Sequence, residues 1–183
     1  MNKSFIISGS GGQGVLSMGN ALASIIMLND FFVSLCSSYG AEMRGGAVNC
    51  EINMSDSEIY TFRNEKVDFV VALNQASFDK FISKVKENGV MIVNSSLTKI
   101  NKIRDDVKYI SFPMTQEAIN LGNIKITNSI ALGVLLKVVG GFHYENIKPI
   151  FEKLLKNKEH LIGKNLEALQ LGLNYTLNEE LKY

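Results

Sequence analysis

Phe5-Ile6-Ile7-Ser8-Gly9-Ser10-Gly11-Gly12-Gln13-Gly14-Val15-Leu16 passes from an apolar run through a glycine cluster into a second apolar run. The first run has the length and residue types of a strand. The second opens a segment, Gly12 to Asn29, that carries Val15, Met18, Leu22, Ile25 and Ile26 at three- and four-residue steps, the period of a helix. Between them Gly9, Ser10, Gly11, Gly12, Gln13 and Gly14 fit G-x-G-x-x-G in the context that gives the pattern meaning, after a strand and at the opening of a helix. Glycines lack a Cβ, so the chain turns sharply there and its N–H groups face outward. The exposed N–H groups and dipole of the helix N-terminus then favour an anion. The same residues would also serve a plain tight turn between a strand and a closely packed helix.

Working outward, further β-type runs occur at Phe31 to Ser37, Val48 to Met54, Val67 to Leu73, Val90 to Asn94 and Val107 to Ser111, several of them fully apolar, as strands covered on both faces are. Helical spacing returns at Gln75 to Lys86. The C-terminal third holds an all-apolar helix, Asn128 to Val139, and two amphipathic faces, Ile147 to Leu155 and Leu166 to Leu181. Pro149 is expected in or before the first turn of its helix, because an interior proline costs about 3 kcal/mol. Strands alternating with helices predict an α/β fold: a doubly wound, mostly parallel sheet with a Rossmann-like Gly-rich loop and C-terminal helices. No repeat or Pro-rich linker divides the chain, so residues 1–183 read as a single domain.

Composition narrows the function. With 46% hydrophobic and 20% charged residues the chain is neither disordered nor fibrous, and a net charge of +1 supplies no field for a polyanion, so no nucleic acid partner is expected. No apolar run reaches the eighteen or more residues of a membrane span. Cys36 and Cys50 form no CxxC or Cys/His pair, so this chain is expected to hold no zinc and no iron–sulfur cluster. The opening Met1-Asn2-Lys3-Ser4-Phe5-Ile6-Ile7-Ser8 is too short in its apolar stretch for a signal peptide, and a reducing cytoplasm is the expected location.

Three loops are candidates for a site. The first is the glycine turn. The second, Ser38, Tyr39, Gly40, Ala41, Glu42, Met43, Arg44, Gly45 and Gly46, follows the second strand and should emerge at the same carboxyl edge. There the Arg44 guanidinium could grip phosphate or carboxylate, or pair locally with Glu42. The third places Asn74 and Gln75 after the fourth strand. An NAD site would need an acidic residue at the end of the second strand, but that strand closes on Leu35-Cys36-Ser37-Ser38. His143 and His160, the two histidines, both lie outside the Gly-rich half, and no catalytic pairing follows from spacing, so no catalytic residue is assigned. From Ser4 to Ala41 the one charged side chain is Asp30. That leaves the first helix either sandwiched inside its own domain or covered by another subunit.

GSGGQG, SSYGAEMRGGAVNC, VDFVVALNQASFDKF and NSIALGVLL, in this order over nearly the whole chain, closely resemble the gamma subunit of the 2-oxoacid:ferredoxin oxidoreductases, most like the 2-oxoglutarate type. Ala41 and Ala76 stand where that family often has proline. The resemblance implies a complex that converts a 2-oxoacid, coenzyme A and an oxidised acceptor to acyl-coenzyme A, CO2 and reduced acceptor. It implies thiamine diphosphate, Mg and iron–sulfur clusters on companion subunits, and partners comprising alpha, beta and ferredoxin-like subunits together with ferredoxin. It implies that this chain covers the active site and helps bind coenzyme A, with Gly9 to Gly14 and Ser38 to Gly46 as lining segments. Arg44 and the backbone amides of Gly11 to Gly14 are then the phosphate contacts. A ligand-free scaffold, a gamma subunit acting on pyruvate, branched-chain or indolepyruvate substrates, and an independent nucleotide-dependent enzyme are the competing readings.

Overall fold

The computed structural model describes residues 2–39 and 47–175. Six strands form one sheet: β1 (Lys3–Ser10), β2 (Phe32–Tyr39), β3 (Ala47–Ser55), β4 (Val67–Ala72), β5 (Val85–Asn94) and β6 (Lys108–Phe112). Their spatial order is β2-β3-β1-β4-β5-β6. β1, β4, β5 and β6 pair in parallel, and β3 runs against both β1 and β2, so five strands share one direction. The chain leaves β1 through helix α1 (Val15–Met27) to the far edge, fills the gap with β3, then crosses to β4 on the other side of β1. The direction of winding therefore reverses between β1 and β4, the place where open α/β sheets leave a crevice.

Burial explains the strand sequences. α1 packs Val15, Met18, Leu22, Ile25 and Ile26 with Ile52 and Met54 of β3 on one face. On the other, α2 (Gln75–Phe81) buries Phe78 and Phe81 with Ile6, Val70, Ala72, Met91 and Val93. β4 and β5 are thus covered on both sides and read as continuous apolar runs. β2 and β3 alternate instead, with Leu35, Cys50 and Ile52 toward α1 and buried Ser34, Asn49 and Asn53 on the opposite face. There the Asn53 amide donates to the Thr61 and Phe62 carbonyls. So the two-sided winding of the sheet holds for its right half, while its left half is covered by α1 on one face and by irregular chain on part of the other. α1 itself is largely sandwiched: seven of its residues are buried against the sheet and the C-terminal helices, with Met27 and Leu28 left exposed at its end.

The rest of the chain, α3 (Met114–Asn120), α4 (Thr127–Val139), α5 (Tyr144–Leu154) and α6 (Ile162–Leu173), brings apolar surface back over the α1 face. α4 and α6 touch backbone to backbone. A Cβ on Gly133 would lie 2.3 Å from the Leu169 carbonyl oxygen, and one on Gly172 2.3 Å from that of Ile130. The Ser129 hydroxyl donates to Asn165 Oδ1 at 2.6 Å across the same contact.

Several expectations about these elements differ from the structure. Pro149 lies inside α5, as its sixth residue, not in the first turn. The carbonyl it leaves without a partner, that of Glu145, is in an exposed first turn where water can bind it. The helix expected to reach Lys86 stops at Phe81, and a 3-10 turn over Ile82–Lys84 feeds β5, which starts at Val85 rather than Val90. Ser38 and Tyr39 belong to the end of β2 rather than to a loop. α3 was not foreseen; its seven residues are too few to show a period. The expected helical face to Leu181 ends at Leu173 within the described residues, and Leu177 and Leu181 lie outside them. Among the described residues no helix is long and apolar enough to cross a membrane.

Candidate anion site at the carboxyl edge

The glycine turn sits where the sequence places it, at the carboxyl end of β1. Gly12 (φ +92°) and Gly14 (φ +75°) adopt left-handed conformations that side chains resist, and Gly14 is the residue from which α1 starts. Among the described residues the N–H groups of Gly11, Gly12 and Gly14 have no hydrogen-bond acceptor. They lie at the positive end of a thirteen-residue helix that has no capping side chain and no acidic residue in its first turn. Gly11 and Gly12 are exposed, and a Cβ at either would meet nothing within 4 Å. This is open, donor-rich space.

Gln13, Ser10 and Asn74, expected to line a ligand site, are brought together but occupy one another. The Ser10 N–H donates to Gln13 Oε1 (2.7 Å), and Asn74 Nδ2 donates to Ser10 Oγ (2.7 Å) and to Gln13 Oε1 (2.9 Å). Gln13 Nε2 donates to the Leu73 carbonyl, while Asn74 Oδ1 accepts the Ser77 N–H and so caps α2. The β1 turn is thereby clamped to the end of β4 across the switch point. Gly9 is packed behind it: a Cβ there would lie 2.8 Å from Gln13 Oε1. The Ser10 N–H is consumed, so the cradle is built from Gly11, Gly12 and Gly14. Gln75 turns outward, accepting the Lys99 N–H and donating to Asp79.

The second loop leaves from the same edge. Tyr39 of β2 and Gly9 of β1 both pair with Val48, so the two strand ends flank the start of β3. Ser38 is half-buried in β2. Gly40, Glu42, Arg44, Gly45 and Gly46 lie outside the described residues.

The start of α4 forms a wall that sequence reasoning missed. Asn128 Nδ2 donates to the Gly14 carbonyl (3.3 Å), and Asn128 lies so close that a Gly14 Cβ would be 2.6 Å from that nitrogen. Between the turn and the start of α4 a crevice of about 140 Å3 is bounded by Gly12, Gln13, Leu97, Thr115, Lys125 and Thr127. Thr115, Lys125 and Thr127 are more than a hundred positions from the glycines, and no local pattern links them.

Perturbed ionisable groups lie elsewhere. At the opposite edge burial raises the Asp68 carboxyl, but hydrogen bonds from Lys86 and from the Ser4 hydroxyl and N–H outweigh it and hold the group below the ordinary aspartate range. Burial pushes the Cys50 thiol up, as for a small apolar filler. The edge near the turn therefore offers donors for binding an anion; the described groups there form no acid–base pair.

The chain matches the model of the pyruvate ferredoxin/flavodoxin oxidoreductase family over residues 4–175. The chain belongs to that family. It is 33% identical over 185 residues to the 2-oxoglutarate synthase subunit KorC of Methanocaldococcus jannaschii, covering 99% of this chain and 96% of that one. It is 29% identical to the ketoisovalerate oxidoreductase subunit VorA of Methanothermobacter marburgensis, over 92% of this chain. It spans about a third of that relative's length, 35%. Among solved structures, the gamma subunit of a keto/oxoacid ferredoxin oxidoreductase from Geobacter sulfurreducens superposes with a TM-score of 0.81 at 26% identity, covering 98% of this chain and 99% of that one. The 2-oxoglutarate:ferredoxin oxidoreductase from Magnetococcus marinus, with 2-oxoglutarate, coenzyme A and succinyl-CoA bound, shares the fold at a TM-score of 0.85 and 21% identity, over 96% of this chain and 32% of that one.

Proposed function

We propose that this chain is the gamma-type subunit of a 2-oxoacid:ferredoxin oxidoreductase of the 2-oxoglutarate kind, and that its glycine turn holds phosphate of coenzyme A. The chemistry takes place on companion alpha, beta and ferredoxin-like subunits. Thiamine diphosphate with its Mg supplies decarboxylation there, and iron–sulfur clusters carry electrons to ferredoxin. The likeness to KorC over essentially the whole of both chains carries the assignment. The open N–H groups of Gly11, Gly12 and Gly14 support the ligand, since a pyrophosphate is the kind of anion such a turn accepts. This chain's own share is to bind and orient the thiol substrate. An uncharged edge strand, β2, and the exposed Met27, Leu28 and Phe32 beside it suit a subunit that works inside an assembly in a reducing cytoplasm.

One observation favours the scaffold reading: Gln13 and Asn74 satisfy each other, as side chains that only brace a loop would. The two readings separate on Gly11→Val. A side chain at Gly11 has open space, so the variant should fold and assemble, but it projects where an anion must approach. In the native complex, isolated through a tag on this chain, the reading expects the KM for coenzyme A to rise at least about tenfold, with the KM for 2-oxoglutarate unchanged. An unchanged coenzyme A KM favours the scaffold. The same preparation, assayed with 2-oxoglutarate, pyruvate and branched 2-oxoacids and examined for cluster absorbance, tests the substrate and the companions.

A further inference from the structure

We infer that the crevice between the glycine turn and the start of α4 seats one phosphate group of the bound ligand, with Lys125 as its counter-cation and the Thr115 hydroxyl as a directed donor. The inference rests on the reading that the turn holds coenzyme A phosphate, and it assigns that phosphate a place and two side chains.

Size comes first. A volume of about 140 Å3 lies well below the roughly 300–1,000 Å3 of pockets that enclose a whole drug-sized ligand, so the crevice takes one group of a larger molecule. Its position fits that role, since it opens against Gly12 and Gln13 beyond the carboxyl ends of the parallel strands.

Charge comes second. Lys125 is the one ionisable residue bounding the crevice, and it makes no ion pair among the described residues. Lys125 is solvent-exposed, and exposed Leu97 and Ile124 form part of the same wall. The backbone beneath Lys125 is fixed: its N–H donates to Asn123 Oδ1 at 3.0 Å, and residues Ile124–Ile126 form a 3-10 turn. The lysine stem therefore starts from an ordered support.

The hydroxyl is the independent observation. Thr115 is 7% exposed and borders the crevice. Its Oγ1 accepts a hydrogen bond from Asn94 Nδ2 at 2.8 Å, and its N–H donates to Asn94 Oδ1 at 3.2 Å. The Asn94 bond occupies one lone pair and turns the hydroxyl hydrogen away from Asn94. The hydroxyl is thus satisfied as an acceptor, while its hydrogen has no acceptor among the described residues. An anionic oxygen in the crevice supplies one. Backbone N–H, hydroxyl and ammonium from three separate elements form a set of donors with no acceptor, the chemistry of a phosphate oxygen seat.

The test uses the native complex and steady-state assays at saturating 2-oxoacid. Lys125→Met should raise the KM for coenzyme A about tenfold or more and leave kcat near its original value, with Lys125→Arg recovering most of the loss. Inorganic pyrophosphate, as a competitive inhibitor against coenzyme A, should weaken in parallel in Lys125→Met. The salt dependence of the coenzyme A KM should become shallower in that variant. Thr115→Val should give a smaller KM effect of the same kind. If Lys125→Met leaves both the coenzyme A KM and pyrophosphate inhibition unchanged while Gly11→Val alters them, the crevice is not the seat and the turn keeps its role. If neither variant changes either quantity, the underlying reading falls as well.

Discussion

At Gly14 two constraints meet. Its φ of +75° lies where a Cβ is strained, and the space a Cβ would fill is held by the Asn128 amide at 2.6 Å. Gly14→Ala is therefore expected to lose about 2 kcal/mol of stability, from the conformational and packing terms together. Thermal unfolding of the variant should show a lower midpoint; an unchanged midpoint would mean that the turn relaxes freely. Glycine was legible here because the turn is local. Gln13 and Asn74 were legible as neighbours at one edge, but not as partners of each other. Whether a polar side chain points at solvent or completes a clamp depends on a bond across 61 positions of chain.

Among the elements, the α4–α6 contact is set by Gly133 and Gly172, which let the two backbones approach within the radius of a side chain. Gly133→Leu leaves the polypeptide no room short of separating the helices, and it should cost about 3 kcal/mol or more, visible as a lower urea midpoint. An equal midpoint would show that α6 is loosely held. The all-apolar sequence of α4 announced burial but not its neighbour. Periodicity also located α1, where the apolar spacing is long and regular, and failed at α3 and at the end of α2, where one or two turns carry too few residues to define a face. Pro149 was misplaced because the rule concerns a missing backbone bond, and in α5 the affected carbonyl belongs to an exposed turn.

For the whole molecule, Asp68 joins β1, β4 and β5 at the edge opposite the glycine turn by accepting from Ser4 and Lys86. Its carboxyl is held below the ordinary 3.8, so its contribution is present above the unfolded-state value and disappears as pH falls through the lower folded value. Both side chains of the ion pair are partly exposed, which limits that contribution to about 1 kcal/mol. Asp68→Asn should lower the unfolding free energy by that amount at pH 7 and flatten its decline below pH 4. Chemical denaturation across pH 3–7 measures both; a parallel decline in the two proteins would assign the acid sensitivity elsewhere. The edge that carries the proposed coenzyme A site and the edge braced by Asp68 are thus separate, and changes at Asp68 should leave the coenzyme A KM untouched.

The sequence by itself determined the α/β class and the strand–glycine–helix turn, because each depends on residues within a turn or two of one another. It also carried the family. The tertiary structure decided that β3 runs antiparallel between β2 and β1, that Gln13 clamps the turn to β4, and that Thr115, Lys125 and Asn128 stand around Gly12 and Gly14. Local patterns record which side of an element is buried. Which elements then meet follows from strand order and from helices that return across the sheet after about a hundred residues of intervening chain, and spacing along the sequence holds no record of that distance in space.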